Sequence, residues 1–264
     1  MTAWEKLKKA QEKTNSLICA GLDSDTEKMP PHLAKKGTEG ILEFNKKIID
    51  AVSDHVCGFK LNFAFYEKYG AEGFEILKKT FDYIPEGHFK IADAKRGDIS
   101  NTTENYDRAC FDYFGADSAT LMPYMGMDAA APFLEYEDKL NFLVTLSSNP
   151  GSEDFQRLVS NGQPLFAAVL EKAVSVSKKE NLGFVIGATY PEELEHIRES
   201  APERVFLIPG IGAQGGRIPE VISANKGGPC LIAVSRAIIY ASSDKDFAEA
   251  ASAAAKSLKE EAAS

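Results

Sequence analysis

At 264 residues, with 44% hydrophobic and 26% charged side chains, the chain has the composition of a globular protein that buries a sizeable core. A net charge of -9 excludes the basic stripe that a nucleic-acid or anionic-membrane partner requires, so a phosphate would have to be bound locally by a few aimed groups. The cysteines Cys19, Cys57, Cys110 and Cys230 stand singly with no C-x-x-C pair, which argues against a disulfide framework or a cysteine zinc site.

The first eleven residues read as a polar helix start without an apolar h-region, and no run reaches the length of a membrane span, so a cytoplasmic location is expected. From there on, short apolar runs alternate with longer helical patterns. The predicted strands are 17–22, 56–61, 89–92, 118–122, 142–146, 183–186, 205–208 and 230–234. Helices are predicted at about 38–54, 67–81, 102–114, 127–135, 163–180, 191–199 and 218–224, and an Ala/Lys/Glu-rich helix closes the chain at about 244–261. Each parallel strand pair needs a crossover, usually a helix, so alternation along the whole chain predicts a parallel α/β architecture. Eight such units fit a (β/α)8 TIM barrel, and the lack of a Gly/Ser-rich linker predicts one barrel domain over 1–264. An open doubly wound sheet also alternates, but it would carry a G-x-G-x-x-G turn after its first strand, where this chain has Gly21-Leu22-Asp23-Ser24.

In such a barrel the C-terminal strand ends share one mouth, so their polar residues belong together. The first strand ends in Asp23, the second in Lys60 and Asn62, and the third in Asp93 and Lys95, with Asp98 just past a break expected at Gly97. Asp93 and Lys95, two apart, point the same way, and Asp98 adds a second carboxylate to the same small volume. Gathering carboxylates and ammoniums at the ends of apolar strands is expensive unless each offsets the desolvation of its neighbours, which points to proton transfer. Taken alone, Lys60 reads as a snorkelling lysine, and the alternative for the stretch from Asp93 to Asp98 is a surface ion-pair loop; counting the partners together favours the functional reading.

Two further strand ends carry polar loops. Leu146-Ser147-Ser148-Asn149-Pro150-Gly151 follows the fifth strand and offers hydroxyl and amide groups suited to the edge of a heterocycle, or makes only an Asn-Pro-Gly turn. Pro209-Gly210-Ile211-Gly212-Ala213-Gln214-Gly215-Gly216 follows the seventh strand and Ser235-Arg236 the eighth, the loops where such barrels frequently hold a phosphate on backbone N–H groups. Arg236 adds a bidentate donor. No paired histidines, Walker sequence or nicotinamide fingerprint is found, so a histidine metal site, a Ser-His-Asp triad and a nicotinamide cofactor are not expected.

The run Asp93-Ala94-Lys95-Arg96-Gly97-Asp98-Ile99, together with Asp23 and Lys60, resembles the D-x-K-x-x-D signature of orotidine 5'-monophosphate decarboxylases. Ser147 to Gly151 and the loop 209–216 resemble the longer bacterial subfamily, so the likeness touches nearly every strand end. It implies cofactor-free conversion of orotidine 5'-monophosphate (OMP) to UMP, with Lys95 as proton donor to C6 and Asp93 beside the departing carboxylate. Lys60 and Asp98 would complete the charge network, with Asp98 and Thr102 reaching into the neighbouring site of a homodimer. Asp23 would bind ribose hydroxyls and Ser148 the pyrimidine edge, although the doubled serine leaves Ser147 open. Gln214 and Arg236 would bind phosphate, with Pro209 and Ser235 beside them.

Three rivals remain. A magnesium-using sugar-phosphate enzyme of the same superfamily shares D-x-K-x-x-D but resembles this chain less where it carries a glutamate ligand in place of Lys60. A Schiff-base aldolase would use Lys60 or Lys95 as nucleophile. A non-catalytic nucleotide-binding barrel would keep Arg236 and Gln214 but need no lysine–carboxylate array.

Overall fold

A computed structural model describes residues 1–212 and 214–264; Ala213, inside the glycine-rich run expected to hold phosphate, lies outside the described residues. Eight parallel strands close a barrel: β1 (Ile18–Gly21), β2 (Gly58–Asn62), β3 (Phe89–Arg96), β4 (Ser118–Leu121), β5 (Asn141–Leu146), β6 (Leu182–Ile186), β7 (Phe206–Pro209) and β8 (Cys230–Val234). Each strand pairs with its neighbours in sequence, and β1 pairs with β8 to complete the ring. The expected TIM barrel is therefore the fold, because every crossover carries helix and every strand is covered on both faces.

The period-two alternation of a strand divides the core in two. Ile18, Ala20, Phe59, Leu61 and Ala92 face the outer helices. Cys19, Phe89, Ile91, Phe142, Leu207 and Leu231 fill the barrel interior. Continued one step up the strands, the same alternation points Lys60 and Asp93 inward at the C-terminal mouth.

The N-terminal end of the barrel is closed by the helix Ala3–Thr14, which begins with a reciprocal cap between Thr2 and Glu5 and ends at Asn15 in the left-handed region. Ala3, Leu7 and Ala10 pack into the interior cluster, while Gln11 donates to Cys230 O at 2.7 Å and Lys6 pairs with Asp117 at 2.6 Å. All four cysteines are buried free thiols, and burial pushes Cys19, Cys110 and Cys230 up to about 12, so they behave as core residues.

Several helices differ from their expected limits for local reasons. The one expected at 67–81 is broken into Ala64–Glu67 and Gly70–Tyr83, with Gly70 at φ 60 opening the second. The stretch 102–114 forms an α-helix at Ser100–Arg108 that loosens into a π-helical turn at Ala109–Tyr113. The helix expected from 163 starts at Leu165, after a small hairpin of Val159–Ser160 with Gln163–Pro164, and ends at Val176.

Candidate active site

The mouth of the barrel opens into a cleft of about 330 Å³ whose floor is apolar, from Val144, Val185, Leu207 and Ala233. Charged residues line one side. Lys60 Nζ stands 2.7 Å from Asp93 Oδ2 and 3.4 Å from Asp23 Oδ1, and Lys95 Nζ stands 2.6 Å from Asp93 Oδ1. Burial by itself would push the Lys60 ammonium toward neutrality, but Asp23 and Asp93 outweigh it and hold Lys60 above its ordinary value. Burial likewise favours a neutral Asp93, yet the two ammoniums prevail and hold the carboxyl well below the usual range. Lys60 and Asp93 thus stay ionised at neutral pH, and Lys95 completes the triad. Its members differ in access, since Lys60 and Asp93 are buried whereas the Lys95 side chain is 49% exposed to the cleft.

The third strand reaches this arrangement by running further than its apolar stretch suggested. It continues through Arg96, but its register against β4 slips between Ala92 and Arg96. Lys95 takes φ 47 there, and its amide donates to Thr120 Oγ1 at 2.9 Å. Gly97 then passes so close to β4 that a Cβ would lie 2.6 Å from Met122 O, which explains glycine at the exit from the strand.

The rest of the rim is lined by Ser148, Gln214, Ser235 and Arg236 with Pro209. The two serines part company. Ser147 is tied into its own loop, its amide donating to Gln156 Oε1 at 2.8 Å and its hydroxyl to Asn149 Oδ1 at 2.6 Å, while Gln156 Nε2 donates back to the hydroxyl at 2.8 Å. Ser148 Oγ instead donates to Gln214 Oε1 at 2.7 Å and links the loop after β5 to the one after β7. In that second loop Gly210 sits at φ 106, and the amides of Gly212, Gly215 and Gly216 bond to carbonyls of the loop itself. These three glycine amides are engaged within the loop, and the side chains of Gln214 and Arg236 face the cleft.

Asp98 does not join its own chain's carboxylates, contrary to the reading of a shared small volume. With β3 extended to Arg96, the loop carries Asp98 away, and its carboxylate accepts from Ile99 N at 2.7 Å. Thr102 lies with it outside the cleft, lining a separate hollow with Phe63, Arg96 and Tyr106.

Thr120 and Gln156 escaped the reading of the sequence. Thr120 fell inside a predicted strand rather than at its end, although a polar residue in the apolar run 118–122 was the available signal. Gln156 had none, because its contact with Ser147 spans a loop. Among the described residues no group of three or more His, Cys, Asp or Glu is arranged to hold a metal ion.

A model of the family described as "Orotidine 5'-phosphate decarboxylase / HUMPS family" matches residues 16–251. A protein of Dehalococcoides mccartyi called orotidine 5'-phosphate decarboxylase is 46% identical over 97% of this chain and 95% of its own length. A protein of the same description from Herpetosiphon aurantiacus is 45% identical over 94% of this chain and 92% of its own length. The solved OMP decarboxylase of Leishmania donovani superimposes with a TM-score of 0.86 at 34% identity, covering 100% of this chain and 98% of that one. On this similarity through nearly its full length, the chain belongs to the orotidine 5'-phosphate decarboxylase / HUMPS family, as an enzyme of the carboxy-lyase class.

Proposed function

We propose that this chain converts OMP to UMP and carbon dioxide in pyrimidine biosynthesis, without metal or cofactor, as one catalytic barrel domain over 1–264. The observation that carries the reading is the Asp93 carboxylate held between the Lys60 and Lys95 ammoniums at the cleft, with Lys95 alone of the two lysines open to a ligand. Breaking the bond from C6 to the carboxylate leaves an electron pair that the pyrimidine ring delocalises poorly. A cation fixed beside C6 then stabilises the transition state more than the ground state. In this reading the pair stays on C6, Lys95 transfers a proton to it, and solvent returns a proton to the lysine. Asp93 lies beside the departing carboxylate and Lys60 keeps Asp93 ionised. Asp23 binds the ribose hydroxyls, Ser148 the pyrimidine edge, and Gln214 with Arg236 the phosphate, flanked by Pro209 and Ser235.

The active unit is a two-fold homodimer in which Asp98 and Thr102 complete the partner's site. Support comes from exposed apolar side chains: Ile99, next to Asp98, is 60% exposed, and Tyr124, 84% exposed, stands with Met122 and Met125 on the loop after β4. Exposed large apolar side chains on these two neighbouring loops are what an interaction surface would use. Among the described residues no helix is long and apolar enough to cross a membrane, and a cytoplasmic site of action belongs to the same reading.

Incubating the protein with OMP in EDTA and following the loss of ultraviolet absorbance tests the reaction and the independence from metal together. Turnover is expected, and Lys95→Ala is expected to reduce it by roughly 100-fold or more while UMP still binds. No turnover, or turnover that only magnesium restores, would overturn the proposal.

A further inference from the structure

The slip between β3 and β4 sets three residues against one: Ala92 lies opposite Ala119 and Arg96 opposite Leu121, so Asp93, Ala94 and Lys95 face Thr120 alone. Such a bulge lifts side chains out of the sheet toward the mouth, and it pulls one amide from the ladder. Lys95 also adopts φ 47, a left-handed conformation that a residue with a Cβ avoids unless it is held there. Its displaced amide donates to Thr120 Oγ1 at 2.9 Å. The hydroxyl has one proton to give, and Asp93, ionised, can only accept; Thr120 Oγ1 donates to Asp93 Oδ1 at 3.0 Å. Lys95 Nζ binds that same carboxylate oxygen at 2.6 Å. The lysine is thereby closed into a ring in which backbone amide, threonine hydroxyl, carboxylate oxygen and its own ammonium follow one another. Thr120 is 1% exposed, so solvent does not compete for the hydroxyl.

We propose that Thr120 is a positioning residue whose hydroxyl fixes the left-handed backbone of Lys95 and the rotamer of Asp93 together, and so sets where the Lys95 ammonium meets the substrate. This assignment rests on the decarboxylase reading of the cleft. The residue acts through Lys95 and Asp93, and its loss leaves the phosphate, ribose and base contacts on other strands untouched.

The test compares wild type, Thr120→Val, which keeps the shape without the hydroxyl, and Thr120→Ser, which keeps the hydroxyl. Wild-type turnover of OMP is measured first, since its absence overturns the decarboxylase reading and this assignment with it. With wild type active, Thr120→Val is expected to lower kcat by about tenfold to hundredfold, the effect of a small displacement of a reacting group, with KM for OMP and affinity for UMP within about threefold. Thr120→Ser is expected to restore kcat to within about threefold of wild type. Should Thr120→Val not fold, Thr120→Cys, close in volume and a weak donor, carries the same expected loss. A valine or cysteine variant with near-wild-type kcat, a serine variant as impaired as valine, or a loss confined to KM would each overturn the Thr120 assignment and leave the decarboxylase reading standing.

Discussion

Three donors converge on Asp93: Lys60 Nζ, Lys95 Nζ and Thr120 Oγ1, at 2.7, 2.6 and 3.0 Å. Removing the carboxylate leaves Lys60 buried, with Asp23 at 3.4 Å. Asp93→Ala is therefore expected to lower stability by about 1–3 kcal/mol, because the buried ammonium keeps only one of its two carboxylate partners, and Lys60→Met added to it is expected to return part of the loss. Urea unfolding checks both, and an unchanged midpoint for Asp93→Ala would contradict the account. The two shifts also fix the signs of the pH dependence. The folded value of Asp93 lies below the unfolded value of about 3.9, so its contribution is complete above that pH and is lost as pH falls through the folded value. For Lys60 the folded value lies above the unfolded value of about 10.4, so its contribution is complete below that pH and is lost as pH rises through the folded value. Both flanks should flatten in the double variant.

The end of β1 is held by helices through a buried polar network centred on Asn45, in the helix Thr38–Val52. Asn45 Oδ1 accepts from Ser24 Oγ at 2.5 Å, and its amide donates to Tyr66 Oη at 3.0 Å and Thr80 Oγ1 at 3.1 Å. Tyr66 passes its own proton to Leu22 O at 2.8 Å, one residue before Asp23, and Tyr240 donates to Asp23 O at 3.0 Å. Every member is satisfied, which is the condition under which a buried polar cluster makes an element rigid. Asn45→Leu keeps the branched shape but strands the Ser24 hydroxyl and takes a donor from Tyr66 and Thr80, which keep their bonds to Leu22 O and Ile76 O, and a loss of about 1–3 kcal/mol is expected. Denaturant unfolding measures it; a loss below about 0.5 kcal/mol, the size of an ordinary surface effect, would show the network to be dispensable.

At the scale of the whole molecule, the proposed dimer makes each site a composite of Lys95 from one protomer and Asp98 from the other. Lys95→Ala and Asp98→Ala homodimers should then both be nearly inactive. Co-refolded in equal amounts they should give about half mixed dimers, each with one intact site and one lacking both groups, so about a quarter of wild-type activity should return. If Asp98 served its own chain instead, every site would lack one group and the mixture would show nothing beyond its parents.

What the sequence determined by itself was carried by local patterns. Apolar runs at strand length, alternating with helical periods, were enough for eight strands and the closed barrel, and strand ends were enough to bring Asp23, Lys60, Asp93 and Lys95 to one mouth. A strand's period of two also dictates that Lys60 and Asp93 point inward once the strands are paired. The tertiary structure decided what depends on neighbours far along the chain. Whether the helix Ala3–Thr14 lies on the surface or stoppers the barrel depends on an open interior end that exists only after closure. Ser147 and Ser148 are chemically identical, and only Gln156 and Gln214, contacts made across loops, give them different tasks. The register slip opposite Thr120 is likewise a property of two strands together: an amide that loses its ladder partner must find another acceptor, and which hydroxyl waits there is settled by pairing, not by the sequence of either strand.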